Sequence, residues 1–209
     1  MTSIDILQVP MTYIVIFLNT VVSGHAFYLD RSAIDRGSFH VGRILRHGEY
    51  HRMLTSGFLH ADLMHFLFNM LTLYFFGPYM ELQLGSVGFL VLYFGAMIAA
   101  NLLTLYLQRR NLAYSAIGAS GAVSGIVFAF CLFEPLAGIY VFFIPVAIPA
   151  VIYAIAYTAY SMYAMRDPAF GSRVAHEAHL GGALGGILLT LLMRPEALQI
   201  FLSHFSEFR

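Results

Sequence analysis

Six long stretches of this chain contain no Asp, Glu, Lys or Arg, and they constrain the fold more than any other feature. A helix that crosses a bilayer needs about 20 largely apolar residues, with a usual range of about 17–25. Five stretches meet this requirement outright, and the last one meets it by including the turn that precedes it. The predicted helices cover approximately residues 6–29, 60–80, 84–107, 117–133, 137–160 and 176–193.

The composition of the chain agrees with a membrane protein. Hydrophobic residues make up 59% of the 209 residues, charged residues make up 11%, and the mean hydropathy is +0.75. A soluble domain of this length carries about a quarter charged residues. The formal net charge is zero, so nothing in the composition points to a nucleic-acid partner. The partner that the composition does indicate is the lipid bilayer.

One long connection interrupts the apolar pattern. Residues 30–62 mix arginines, histidines and aromatic residues, which is typical of a structured loop that lies at the membrane interface. We find no repeat and no linker between domains. The sequence therefore predicts an all-α membrane protein with six transmembrane helices, a long structured first loop and a single domain over residues 1–209.

Polar residues are concentrated where the second, fourth and sixth predicted helices begin. Six crossings place these three helix starts on the same side of the membrane. The polar residues there are His60, His65, Asn69, Ser120, His176 and His179. Polar groups at membrane depth are costly unless they are paired or face water, so such a cluster indicates a functional site.

The fourth and sixth helices carry small residues that would allow close packing. Gly121 and Gly125 are four residues apart, and "GGALGG" places further glycines at the same spacing near the start of the sixth helix. Such patterns let helix backbones approach closely in lipid. Close packing would bring Ser120 within reach of His179, and a histidine is the usual base that activates a serine hydroxyl.

The second helix could complete such a site. His65 and Asn69 are four residues apart and share a helical face, so both could donate hydrogen bonds to a developing oxyanion. The free N–H groups at the start of the fourth helix could do the same. His60 is rotated away from this face, which favours a packing or loop-anchoring role for it.

A metal or proton transporter is the alternative that the histidines suggest. His60, His65, His176 and His179 could supply ligands for Zn²⁺. The spacing of His60 and His65 suits one metal on one helix poorly, and carboxylate partners within the spans are missing. "HEAH" also differs from the zinc-protease spacing, which favours a structural role for His176.

At these residues the chain resembles the rhomboid intramembrane serine proteases. The matching motifs are "HADLMHFLFNM", "ELQLGS", "GASG" and "AHLGG", which occur in the family's order. The resemblance implies that Ser120 is the nucleophile, that His179 is the general base, and that His65, Asn69 and the Ser120 N–H form the oxyanion hole. It also implies single-pass transmembrane substrates, no metal or organic cofactor, and a multi-pass protein of the plasma (inner) membrane. The alternative within the family is an inactive relative that binds membrane helices.

The chain departs from the family pattern at several points. His51 precedes Arg52 where the family usually has Trp, and Ser124 occupies a position where many members place an aromatic ring against the catalytic imidazole. We therefore expect a hydroxyl contact, or an aromatic residue of the fifth helix, to hold the His179 ring. That helix, with Pro145 and Pro149, is a candidate for a bent and mobile gate.

Overall fold

The computed structural model describes residues 6–140, 146–165 and 175–206; Pro145 and Arg209 lie outside the described residues. The described chain is mostly helical. Its helices are α1 (Pro10–Tyr28), α2 (Ser32–Gly37), α3 (Val41–His47), α4 (Arg52–Thr55), α5 (Leu63–Gln108), α6 (Ser120–Phe133), α7 (Ala150–Ala164), α8 (His176–Met193) and α9 (Glu196–Ser206). Short 3₁₀ turns cover Ile6–Gln8 and Ser56–Phe58. Two small antiparallel sheets pair β1 (Phe39–His40) with β2 (Ser115–Ala116), and β3 (Gly138–Tyr140) with β4 (Ala147–Pro149).

The long helix α5 is two helical segments joined at Gly85. This residue has φ 69° and ψ 165°, a conformation that breaks the helix and that glycine tolerates because it has no Cβ. The segments 63–84 and 86–108 correspond to the second and third predicted helices. At its start, the carboxylate of Asp62 accepts a hydrogen bond from the His65 N–H at 2.8 Å and caps the helix.

Length and apolar character identify two described helices that could cross a membrane, Pro10–Tyr28 and Leu63–Gln108, the latter counted with both of its segments together. A third candidate arises if α8 and α9, which are bent by 103° from each other, are taken as one span. Helix α6 is apolar but has only 14 residues. The count of six membrane spans therefore stays a prediction.

The predicted helix over residues 137–160 is wrong at its beginning. Gly138–Tyr140 and Ala147–Pro149 are antiparallel strands in which Gly138 is paired with Pro149, and α7 begins only at Ala150 and continues to Ala164. The physical reason is Pro149, which has no N–H to donate and which biases the residue before it towards extended backbone. The helices predicted to begin at residues 6, 60 and 117 likewise begin three or four residues later, at Pro10, Leu63 and Ser120.

Helices α6 and α8 pack with their backbones in direct contact, because glycines face each other where the two helices meet. A Cβ on Gly182 would collide with the carbonyl group of Gly121, and one on Gly186 would collide with the backbone of Gly125. Helix α6 is almost entirely buried, with α5 on another side of it. The prediction that small residues bring the fourth and sixth helices together is thus confirmed.

Glu81, at the end of the first segment of α5, holds the start of α1. Its buried carboxylate accepts hydrogen bonds from the N–H groups of Met11 and Thr12 at 2.9 and 2.7 Å, and from the hydroxyls of Thr12 and Ser86 at 2.8 and 2.6 Å. A negative group at a helix N-terminus also interacts favourably with the helix dipole. Glu81 therefore serves as an anchor between α1 and α5.

The first loop is structured, as the sequence predicted. Arg52 is buried, and its guanidinium donates to the carbonyl oxygens of Asp35 and Ser38 at 2.9 and 2.8 Å. It also forms an ion pair with Glu49 at 2.5 Å, and this hydrogen bond holds the pKa of the Glu49 carboxyl below its ordinary value. Arg52 thus ties three parts of the loop together without the Trp that usually precedes it in the family.

We expect Gly182→Ala to destabilise the protein, because the added methyl group would force α6 and α8 apart. Overpacking of this kind typically costs about 1–3 kcal/mol. Thermal unfolding in detergent would measure the loss. The matched control is Gly24→Ala on α1, where an added Cβ meets nothing within 4 Å. Equal unfolding temperatures for the two variants would contradict the packing described.

Candidate active site

The backbone turn at Gly118 sets the start of α6 and therefore the position of Ser120. Gly118 has φ 132°, and a Cβ there would meet the His65 ring at 2.5 Å. Its N–H donates to the Ser56 carbonyl oxygen at 3.0 Å, which fixes the turn against the first loop. Ser120 is the first residue of α6, so its N–H has no acceptor within the helix. The hydroxyl and a free N–H donor of one residue thus lie at the same helix start.

Ser120 and His179 meet across the α6–α8 contact. The Oγ of Ser120 lies 2.8 Å from Nε2 of His179, which is hydrogen-bond distance. His179 lies in the first turn of α8, and the glycine contacts one turn further along bring the two backbones close enough for this pair. A neutral imidazole at this distance can accept the hydroxyl proton.

A tyrosine of α7 packs against the His179 ring. Tyr157 is stacked on it with ring centroids 5.9 Å apart and an interplanar angle of 25°. The Tyr157 hydroxyl lies 3.4 Å from Oγ of Ser124, on α6. Of the two expected ways of holding this ring, the aromatic residue of the fifth helix is confirmed, whereas the Ser124 hydroxyl contacts Tyr157 and not the imidazole. The sequence indicated the helix but did not single out Tyr157.

His65 and Asn69 face the same cavity as the Ser120–His179 pair. The cavity has a volume of about 740 Å³, and its lining includes all four residues and Tyr157. The Asn69 amide donates one hydrogen bond to the His65 carbonyl oxygen at 2.8 Å and carries a second N–H. The structure therefore gathers the four residues that the sequence predicted around one space.

His60 is an anchor next to this cavity. It is fully buried, its Nδ1 lies 2.8 Å from the Ser23 hydroxyl, and its Nε2 accepts from the Ala119 N–H at 3.4 Å. The Ser23 hydroxyl donates its one proton to the Phe58 carbonyl oxygen, so Nδ1 of His60 must be the protonated nitrogen. His60 thus connects α1 to the residue before Ser120, and the predicted anchoring role is confirmed.

His176 is buried one turn before His179, with ring centroids 6.1 Å apart. Its ring contacts Tyr160 edge-on at 5.4 Å, and its Nδ1 has no hydrogen-bond partner among the described residues. In the described part of the chain, no group of three His, Cys, Asp or Glu residues could hold a metal ion.

Comparison with known proteins identifies the family. A family model for the rhomboid domain matches residues 47–196, a range that contains every residue of the site. The chain belongs to the rhomboid family. Membership and the apolar helices together indicate a membrane-embedded protein.

Several curated proteins resemble the chain. It is 33% identical over 141 residues to the mitochondrial Rhomboid protein 1 of Saccharomyces cerevisiae, covering 65% of this chain and 40% of that protein. It is 31% identical over 147 residues to the putative rhomboid protease YdcA of Bacillus subtilis, covering 69% of this chain and 68% of that protein. It is 29% identical over 184 residues to the mitochondrial RHOMBOID-like protein 12 of Arabidopsis thaliana, covering 80% of this chain and 52% of that protein. The matches thus cover less than two thirds of the yeast and plant proteins. Two of the three are named mitochondrial, so an organellar membrane fits the comparisons as well as a plasma membrane.

The two histidines near the start of α5 should respond differently to substitution. His60→Ala would leave the buried Ala119 N–H without an acceptor and would remove the hydrogen bond to the Ser23 oxygen, and a buried unpaired group costs about 1–3 kcal/mol. His65→Ala would remove a side chain that lines a cavity. We expect the first variant to unfold at a clearly lower temperature and the second to unfold near the wild type. A larger loss of stability in His65→Ala would contradict these roles.

Proposed function

We propose that this protein is a serine endopeptidase that cleaves transmembrane proteins through a Ser120–His179 dyad. The observation that supports the proposal best is the 2.8 Å separation of Ser120 Oγ and His179 Nε2 beside an open cavity, in a chain of the rhomboid family. The names of relatives such as the putative rhomboid protease YdcA agree with this activity.

The proposed reaction has two halves. In the first, Ser120 Oγ attacks the peptide carbonyl while Nε2 of His179 takes the hydroxyl proton and then passes it to the leaving amine. In the second, His179 takes a proton from water, the resulting hydroxide attacks the acyl-enzyme, and the proton returns to Ser120. The reaction needs only water and the two side chains for its bond changes.

The oxyanion formed in each half needs hydrogen-bond donors. We assign this role to the N–H of Ser120 and to the side chains of His65 and Asn69. All three residues line the cavity, and the second N–H of the Asn69 amide is not used by its bond to the His65 carbonyl oxygen. Donors held in place before the reaction stabilise developing charge without reorganisation.

We further propose six membrane crossings, formed by α1, the two segments of α5, α6, α7 and α8, within one domain over residues 1–209. Helix α6 has 14 residues, so at about 1.5 Å per residue it covers roughly 21 Å of a hydrocarbon core that is about 30 Å thick. Ser120 at its start would then lie below the membrane surface, where the cavity brings water to it.

The substrates of such a site are single-pass transmembrane proteins. A helical peptide hides its carbonyl groups in its own hydrogen bonds, so a segment must unwind before Ser120 can attack it. In the bilayer core unwinding is costly, whereas a polar, water-filled cavity can hydrogen-bond the freed backbone groups. We therefore expect cleavage near the end of a substrate helix that contains helix-weakening residues.

We expect Ser120→Ala and His179→Ala each to abolish cleavage of a model transmembrane substrate in proteoliposomes. Asn69→Ala should retain some activity, because loss of one oxyanion donor typically costs about 10²–10³ in rate. Ser203→Ala and His47→Ala are the matched controls, because both residues are exposed and neither lines the cavity. Cleavage by Ser120→Ala at the wild-type rate would overturn the dyad. A wild type that binds the substrate helix and never cleaves it would instead identify an inactive relative.

We expect both termini to lie in the cytoplasm when the protein is made in a bacterial inner membrane. The even number of proposed crossings places them on one side, and the resemblance places the catalytic side outside. Among the 11 arginines, however, only Arg194 and Arg209 would then lie inside, contrary to the positive-inside rule. A fluorescent protein fused after Arg209 should be bright and alkaline phosphatase there inactive. The reverse result would invert the orientation.

A further inference from the structure

The ring that packs on His179 comes from α7 and not from the helix that carries Ser120. Ser124 lies one helical turn after Ser120 on α6 and has no ring to offer, and Tyr157 of α7 covers the imidazole instead. The two residues are in contact, because the Tyr157 hydroxyl lies 3.4 Å from the Ser124 hydroxyl. The small residue on α6 and the large one on α7 thus share the space beside His179.

Tyr157 is itself held firmly. Its ring is stacked on Tyr153 with centroids 5.7 Å apart, and it contacts Phe128 of α6 at 6.1 Å. The offset stack of Tyr157 on His179 lies within the favourable range of about 4.5–7 Å for aromatic pairs. Because rotation of a histidine ring about its last side-chain bond is broad and soft, neighbouring groups must set the plane of the imidazole.

We propose that Tyr157 is the positioning residue that aligns His179 with Ser120, and that the alignment of the dyad therefore depends on α7 lying against α6 and α8. This inference rests on the proposed function. A second pair lies along the same contact, because Tyr160, one turn after Tyr157 on α7, contacts His176, one turn before His179 on α8.

Helix α7 has few buried residues, so few contacts besides those of Tyr157 fix its position against α6 and α8. Its only residues described as buried are Ala150, Ser161 and Ala164, while Ile152 and Ile155 are exposed. Displacement of α7 would remove the ring from His179. The reactivity of Ser120 would then fall even though both dyad residues stay on their own helices.

The test compares Tyr157→Leu with the wild type and with Tyr163→Leu, whose residue is 61% exposed on the same helix. The measured quantities are the rate of labelling by a fluorophosphonate, which reports on the dyad without a substrate helix, and kcat and KM for cleavage. We expect Tyr157→Leu to lower the labelling rate and kcat by roughly 10- to 100-fold, with KM nearly unchanged, because small misplacements of reacting groups cost about this much. Tyr163→Leu should match the wild type.

Two further variants separate positioning from simple damage to the fold. Tyr157→Phe keeps the ring and loses only the hydroxyl contact, so its labelling rate should fall less than about fivefold. Ser124→Tyr combined with Tyr157→Ala moves the ring to α6 and should recover much of the rate that Tyr157→Leu loses. Unfolding temperatures would be recorded for all variants.

The possible outcomes are distinct. Wild-type labelling rates in folded Tyr157→Leu would overturn the inference and leave the dyad standing. A loss in Tyr157→Phe as large as that in Tyr157→Leu would also overturn it, because the ring would then not be what matters. If Tyr157→Leu does not fold, the Phe variant and the double variant decide. A wild type that is not labelled at all, like Ser120→Ala, would instead overturn the proposed function together with this inference.

Discussion

The contact between α6 and α8 determines the rest of the site. In lipid there is no hydrophobic force between helices, because the lipid tails are as apolar as the side chains, so association depends on close packing. Gly121 and Gly125 face Gly182 and Gly186 with almost no space between the backbones. A Cβ on Gly182 or Gly186 would collide with the α6 backbone and push apart the two helices whose contact brings Ser120 Oγ within 2.8 Å of His179 Nε2. The glycines therefore set the distance between the helices that carry Ser120 and His179.

Buried polar anchors fix the other helices around this contact. Glu81 joins α1 to α5, Arg52 joins the parts of the first loop, and His60 joins α1 to the start of α6. Each anchor has several hydrogen-bond partners, and in surroundings of low dielectric an unpaired partner would be costly. Such groups favour one arrangement over others that bury the same apolar surface.

The sequence predicts the elements of the site better than their exact bounds. Ser120, His179, His65 and Asn69 could be found because polar residues stand out in apolar helices, and the structure places them around one cavity. The start of α7 could not be predicted from the absence of charge, since an apolar run does not distinguish a helix from a hairpin. Pro149 was the available signal, and it marks the residue before the helix.

Tyr157 could not be assigned from the sequence for a different reason. Helix α7 carries tyrosines at positions 153, 157, 160 and 163, and only the rotation of the helix decides which one meets His179. The small side chain of Ser124 is the complementary half of the arrangement, because two rings beside one imidazole would overpack the space. What the site requires is thus a ring against the imidazole, and not an aromatic residue at one position of α6. The ring comes from the helix with the fewest buried residues among the long apolar helices, so in the proposed arrangement the orientation of His179 depends on a helix that few buried contacts hold in place.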